Sequence, residues 1–329
     1  MRMGRKPRCR ILIYDEYMSR SARNNRKKIP YLKPPTNFSD QVSQLENRGL
    51  LVTDRSKAEF FLSQLNYYRI AAYCLPFEQD HTSHQFKSNI NFDDVLNLYV
   101  FDRELRLLVL DAIERIEVSL RTQLAYHLSH NHQTAHPHLN PELFFNPVIY
   151  GKSLSNLDTD IKRSQEEFIK HLTGKYDELM PPIWAVVELM TIGQLSKWFA
   201  NIKTRADRQA ISRVYRLDEK IMTSFCEHLS LVRNHAAHHA RLWNRDFTKT
   251  PMLPRKCDSD LLNSLFALPD SDRRLRKLYN TFVMLAYLMT IICGENHWKD
   301  RLIQLIDKHQ IDTDKMGFPT DWQQKPIWQ

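Results

Sequence analysis

The stretch "LVRNHAAHHARLWNRDF", Leu231 to Phe247, gathers side chains that move protons and hold anions. Arg233, Asn234, His235, His238 and His239 lie within seven residues, followed by Arg241, Trp243 and Arg245. Histidine exchanges a proton near neutral pH. Arginine presents a planar fork that grips the charge of a pentacoordinate phosphorane. Asparagine can fix the orientation of a neighbouring imidazole. Together these types suit cleavage of RNA by its own 2′-hydroxyl, a reaction that requires no metal. Asn234 and His238, at i and i+4, share a helix face. Arg233 and His238 lie about 140° apart on an ideal helix, too far to converge simply. Either the helix is distorted here, or both face a groove that a second copy of the chain completes.

Other chemistries fit less well. His228, His235 and His239 recur at spacings of seven and four, which a three-histidine metal site could use. Glu227-His228 nevertheless lacks the second histidine of HExxH, because Leu231 stands in its place. His235 and His239 are therefore expected to line an RNA groove or a dimer interface. His127, His130, His132, His136 and His138 fall in a segment that reads as an irregular polar loop. No metal and no cofactor are expected. Trp243 and Phe247 can stack on bases, although a tryptophan here also suits the core. Arg241 and Arg245, one turn apart, can meet phosphates. Glu117 and Arg121 have helix ion-pair spacing and can support the catalytic helix or simply stabilise their own. Glu188, inside the apolar "WAVVELMTIG", needs a partner if buried, with Arg233 and Arg121 as candidates.

The elements that must position these residues read as helices. Ser39 or Asp40 starts a short helix to about Arg48, and Asp54 caps a second, "RSKAEFFLSQL". "NYYRIAAYCLPF" follows, and residues 78–91 suit a small strand pair. Phe92 to Leu128 contains neither Gly nor Pro and carries apolar residues at spacings of three, four and seven, the longest helical signal in the chain. Further helices are expected at about 153–172, 183–200, 204–216, 218–243, 271–293 and 297–309. In the helix that begins after Asp218, Ile221, Phe225, Leu229 and Val232 form an apolar seam leading to the motif. The fold class is all-α, with helices joined by short loops.

Arg233-Asn234-His235-Ala236-Ala237-His238 resembles the RxxxxH signature of the HEPN superfamily of helical ribonucleases. Four further blocks resemble, in order, the abortive-infection Abi family of the AbiD/AbiF type. They are "YLKPPTNFSDQVSQLENRGLLVTD", "LNYYRIAAYCLPF", "YVFDRELRLLVLDAIERIEVSLRTQLAYHL" and "PPIWAVVELMTIGQLSKWF". The resemblance runs from about Lys33 to about Ile292. It implies a HEPN-like helical bundle, a role in phage defence, and RNA as substrate. It implies Arg233 and His238 as the catalytic pair, with Asn234 as orienter. Since HEPN sites combine two motifs and this chain has one RNxxxH, it also implies a homodimer. A structured regulatory RNA that restrains or guides the protein is compatible with it. The resulting organisation is a basic arm (1–32), an N-terminal helical region (33–91), a HEPN-like helical domain (92–295) and a C-terminal helix and tail (296–329). A second reading is a non-catalytic RNA-binding sensor, and a third is a protein scaffold with buried histidines.

Bulk properties agree with an RNA partner. Residues 1–30 hold ten Lys or Arg against Asp15 and Glu16, a surplus of eight out of the chain's formal +9. A basic arm on a near-neutral body suits phosphate contact through counterion release, the alternative being an inert solubilising tail. Glycine-rich phosphate-binding motifs are missing. The five cysteines have no CxxC spacing and suit a reducing cytoplasm. No apolar run reaches the length of a membrane span, and the N-terminus has no apolar signal core, so a cytoplasmic location is expected.

Overall fold

A computed structural model describes residues 30–329 except Asp270, so residues 1–29, which hold the ten cations of the basic arm, lie outside the described residues. The described chain is all-α. Asn37 caps α1 (Phe38–Asn47) and Asp54 caps α2 (Arg55–Gln64), each accepting a backbone N–H of the first turn. After α3 (Tyr67–Cys74) comes a two-stranded antiparallel hairpin, β1 (Glu78–Asp80) with β2 (Gln85–Phe86), the strand pair read from the polar segment.

The longest element is α4 (Phe92–His132), 41 residues opened by a capping box between Asn91 and Asp94. It runs through the middle of the molecule and touches α3, α7 (Ile183–Val186), α8 (Ile192–Asn201), α9 (Arg205–Val214), α10 (Glu219–Ala237), α12 (Tyr279–Cys293) and α13 (Trp298–Lys308). Outside this bundle lie α5 (Pro147–Arg163), α6 (Glu167–Lys175) and α11 (Ser259–Ser264). One continuous hydrophobic core runs from Val42 to Trp328 and joins the N-terminal helices, the bundle and the C-terminal turns.

Sequence and structure part at several places. The first helix is capped by Asn37 and not by Ser39 or Asp40, and the helix expected at 271–293 starts only at Tyr279. The expected helix at 153–172 is two helices, α5 and α6, separated at residues 164–166. The one at 183–200 breaks at Met190, because Thr191 and Gln194 form a capping box that starts α8 afresh. The histidine-rich segment is not wholly an exposed loop. His127, His130 and His132 belong to the last turns of α4, and His138 is buried. Most consequentially, the helix expected to reach Trp243 stops at Ala237.

Two contacts set the direction of α10 against α4. Near the start of α10, the Tyr215 hydroxyl lies 3.0 Å from that of Ser119. Just beyond its end, Asp102 accepts the backbone N–H groups of Leu242 and Trp243. The two helices are therefore antiparallel, and the motif lies beside the N-terminal half of α4. A close approach fixes α8 as well: a Cβ on Gly193 would meet the Ser230 hydroxyl at 2.8 Å. A side chain at this position would require the Ser230 hydroxyl to move.

Candidate active site

The seam on α10 behaves as its spacing predicts. Ile221, Phe225, Leu229 and Val232 are all buried. Beyond Val232 the helix continues to Ala237, with Arg233 partly exposed and Asn234 and His238 exposed. His238 is the C-cap. His239 takes a left-handed conformation, φ +58°, and the Ala240 N–H returns to His235 O at 2.8 Å. This is the hydrogen-bond pattern that ends many helices, usually with glycine in the left-handed place. A side chain there costs about 1–2 kcal/mol, so the surroundings must hold it.

Those surroundings come from α3 and α4. Arg69 Nη1 donates to the carbonyl of His239 at 2.8 Å. Arg241 Nη1 donates to the carbonyl of Ala72, one turn further along α3. Arg245 Nε donates to Arg241 O at 2.5 Å. Beneath them, the fully buried Asp102 accepts the N–H of Leu242 at 2.9 Å and of Trp243 at 2.6 Å on Oδ1. Its Oδ2 takes the Tyr73 hydroxyl at 2.7 Å and an ion pair from Arg106. Burial, with the Asp102 charge beside it, pushes the Tyr73 phenol well above its ordinary range. Asp102 thus pins the chain four residues after His238. Neither Asp102 nor Arg69 stood out in the sequence. An acid within "FDRELR" reads as a helix surface residue until its partners, some 140 residues away, are in view.

Several candidate residues sit otherwise than expected. Within one chain the Asn234 amide oxygen accepts Arg233 Nη1 at 3.4 Å, so the asparagine meets the arginine and not the imidazole of His238. His235 turns back, with Nδ1 on Leu231 O at 2.8 Å and its ring edge-on to Phe247. His239 lies past the helix end and shares no face with His235. Trp243 and Phe247 are buried, so neither is a stacking platform for a base. The backbone of Trp243 is drawn inward by Asp102, and its ring follows. Arg241 and Arg245 spend part of their donor capacity on backbone carbonyls.

His228 leaves the constellation altogether. It is buried between Lys249 O and the Thr281 hydroxyl, each at 2.8 Å. Burial pushes its pKa down to about 4. Among the described residues no group of three or more His, Cys, Asp or Glu side chains is placed to hold a metal ion.

The supporting ion pairs fall beside α8. Arg121 pairs with Glu117 at 2.5 Å, and its Nε and Nη2 both reach Met190 O, at 3.1 and 2.8 Å. Its Nη1 meets Glu188 at 3.3 Å. Of the two partners expected for Glu188, Arg121 is the one found. Glu188 itself is not buried: its side chain is 45% exposed, at the turn where the expected helix breaks. Arg121 therefore ties α4 to the residue preceding the α8 cap, and α8 in turn abuts Ser230, one turn before Arg233. Its contacts fit a support for the motif helix and include none with the motif itself.

The family described as Abi-like protein matches residues 60–244, from the middle of α2 to the loop just past the motif. The chain belongs to the Abi-like protein family. Membership points to abortive infection, a phage-defence role. The matched span holds Arg69, Asp102, Arg233, Asn234, His238 and Trp243 and stops just before Arg245. No curated protein and no solved structure matches the chain. Among the described residues no helix is long and apolar enough to cross a membrane.

Proposed function

We propose that the chain is a metal-independent endoribonuclease of abortive infection, of AbiD/AbiF type and HEPN-like fold, that cleaves single-stranded RNA as a homodimer. One observation carries this reading. Arg233, Asn234 and His238 form a solvent-facing group at the end of α10, in which Arg233 and His238 have no carboxylate partner among the described residues. Structural arginines nearby, such as Arg106 and Arg121, are ion-paired. An arginine and a histidine left facing water without an acid suit a phosphodiester.

In this reading the 2′-oxygen attacks phosphorus while one imidazole removes its proton. The guanidinium of Arg233 holds the negative charge that gathers on the phosphorane oxygens. The same histidine of a second copy protonates the departing 5′-oxygen. The products are a 2′,3′-cyclic phosphate and a 5′-hydroxyl, and no atom in the balance requires a metal.

The test is cleavage of an unstructured RNA by purified protein in EDTA, with wild type beside Arg233→Ala and His238→Ala. Both variants should fold normally, since both side chains face solvent, and should lose on the order of 100–1000-fold in rate. A variant as fast as wild type would remove the assignment. So would products bearing a 5′-phosphate that form only with Mg²⁺.

A further inference from the structure

A groove of ≈ 720 Å³ lies between residues 31–38 with α1 on one side and α3 on the other. That volume is in the range of small-ligand sites. Its chemistry is mixed. Tyr31, Tyr67 and Tyr68 contribute rings, Lys33 and Arg48 cations, and Gln41 an amide.

Three features suit it to a nucleotide strand. The first is exposed aromatic surface. Tyr31 and Tyr68 are 74% and 73% exposed, and each offers a ring face that a base can cover. The second is charge. Arg48 Nη1 donates to the Tyr67 hydroxyl at 2.9 Å, and no carboxylate of the described residues pairs with Arg48 or Lys33. Glu78, the acid in the lining, is instead met by His81 Nδ1 at 2.9 Å and His84 Nδ1 at 3.2 Å. The third is an unmet acceptor. Gln41 Nε2 donates to Thr36 O at 3.2 Å, which fixes the amide, and its Oε1 is then buried without a partner. A buried carbonyl oxygen of this kind calls for an N–H donor.

The groove is also joined to the motif. Ala72 lines it, and the Ala72 carbonyl accepts from Arg241. Arg69, one turn earlier on α3, donates to His239 O. Only the width of α3, about 10–12 Å with its side chains, separates the groove from the loop after His238. The way between them is cationic. Arg69, Arg241 and Arg245 have no carboxylate partner among the described residues; of the buried acids nearby, Asp102 is paired with Arg106 and Glu78 is met by His81 and His84. Burial and the neighbouring Arg241 lower the Arg245 pKa.

We propose that this groove binds the flanking nucleotides of a single-stranded RNA whose scissile phosphate lies at Arg233 and His238. A base stacks on Tyr68, its phosphate meets Arg48 and Lys33, and Gln41 Oε1 accepts an exocyclic amino group. The last contact favours the exocyclic amino group of adenine, cytosine or guanine over uracil, whose one ring N–H donor, N3–H, is flanked by two carbonyl oxygens that would face Gln41 Oε1. The inference rests on RNA being the ligand of the motif.

The experiment uses His238→Ala as parent, so that RNA survives, and reads the binding of fluorescent oligoadenylate and oligouridylate by anisotropy. Tyr68→Ala should weaken oligoadenylate binding about 5- to 100-fold, the effect of losing one stacked base. Lys33→Gln with Arg48→Gln should flatten the dependence of log K on log[salt] by about 0.7 per lost contact. Gln41→Leu should erase the preference for oligoadenylate over oligouridylate. Tyr68 and Lys33 are exposed, so those variants keep the fold, and circular dichroism verifies it. Unchanged affinity in Tyr68→Ala overturns the proposal. Adenosine monophosphate binding as tightly as the oligonucleotide overturns it too, because the site would then serve a free nucleotide. Cleavage lost in His238→Ala with unaltered Tyr68→Ala binding rejects the groove alone. Weakened binding with no cleavage by wild type rejects the nuclease and keeps the groove.

Discussion

His228 and His238 lie ten residues apart on one segment and have opposite surroundings. Since a carbonyl only accepts, His228 Nδ1 carries the proton it donates to Lys249 O, and Nε2 is left to accept the Thr281 hydroxyl. The neutral ring satisfies both partners. A second proton would replace the acceptor with a donor and place a charge in the core. His138, also buried, is pushed down to about 4 by burial and then by His136. In each case the folded pKa lies below the unfolded value of about 6.5. The stabilisation is complete above that pH and is lost as pH falls towards 4, where the unfolded chain binds the proton that the folded one refuses. Each histidine should contribute a slope of up to about 1.4 kcal/mol per pH unit in this window. Urea unfolding of wild type and His228→Asn between pH 7.5 and 4.5 checks it. The variant should show the shallower decline, and parallel lines would reject the role. Nothing in the sequence separates these buried histidines from the exposed ones. Their difference lies in partners 21 and 53 residues away, whereas Arg233 and His238 were singled out by their resemblance to the RxxxxH signature.

At the scale of elements, helices capped by an aspartate after a polar break were readable, and those that start inside an apolar run or end on tertiary contacts were not. Asp54 announces α2, and Asp218 announces α10 by accepting Lys220 N–H. The break before α8 hides inside an apolar run, where Thr191 and Gln194 look like ordinary helix interior. The end of α10 carries no glycine or proline. It is imposed by Arg69 on His239 O and by Asp102 on Leu242 and Trp243, contacts that local pattern cannot reveal. Asp102→Asn offers a direct check. It keeps the shape but removes the charge that holds two N–H groups and leaves Arg106 unpaired. Removing one partner of a buried pair typically costs about 3–5 kcal/mol, and the retained hydrogen-bonding shape should keep the loss at the lower end. Amide exchange at Leu242 and Trp243 should accelerate more than exchange along the middle of α4, and RNA cleavage should fall with it. Uniform acceleration throughout the molecule would make Asp102 a general stability residue and not the anchor of the motif loop.

For the whole molecule, the single core decides what can move and what must be shared. The N-terminal helices pack on α4 through α3, and Trp298 Nε1 donates to Leu108 O at 2.8 Å, tying α13 to the same helix. The all-α class was plain from the sequence. The way α3 from the N-terminal region braces the end of α10 was not, because it needs the antiparallel pairing of α4 and α10. This bracing leaves little freedom for one chain to fold a second catalytic group over its own motif. His228 and His235 are committed to backbone or core partners, and His239 is held past the helix end through its carbonyl. In the proposed nuclease reading, the general acid and the general base are then two copies of His238. Activity should therefore require dimerisation. Light scattering should give twice the chain mass under assay conditions, and the rate per chain should fall on dilution through the dissociation range. Mixing wild type with an excess of His238→Ala chains should suppress cleavage more than simple dilution does, because mixed dimers carry only one imidazole. A monodisperse monomer that cleaves RNA at a concentration-independent rate per chain would show that one motif suffices, and the second imidazole would have to be replaced by another group or by water.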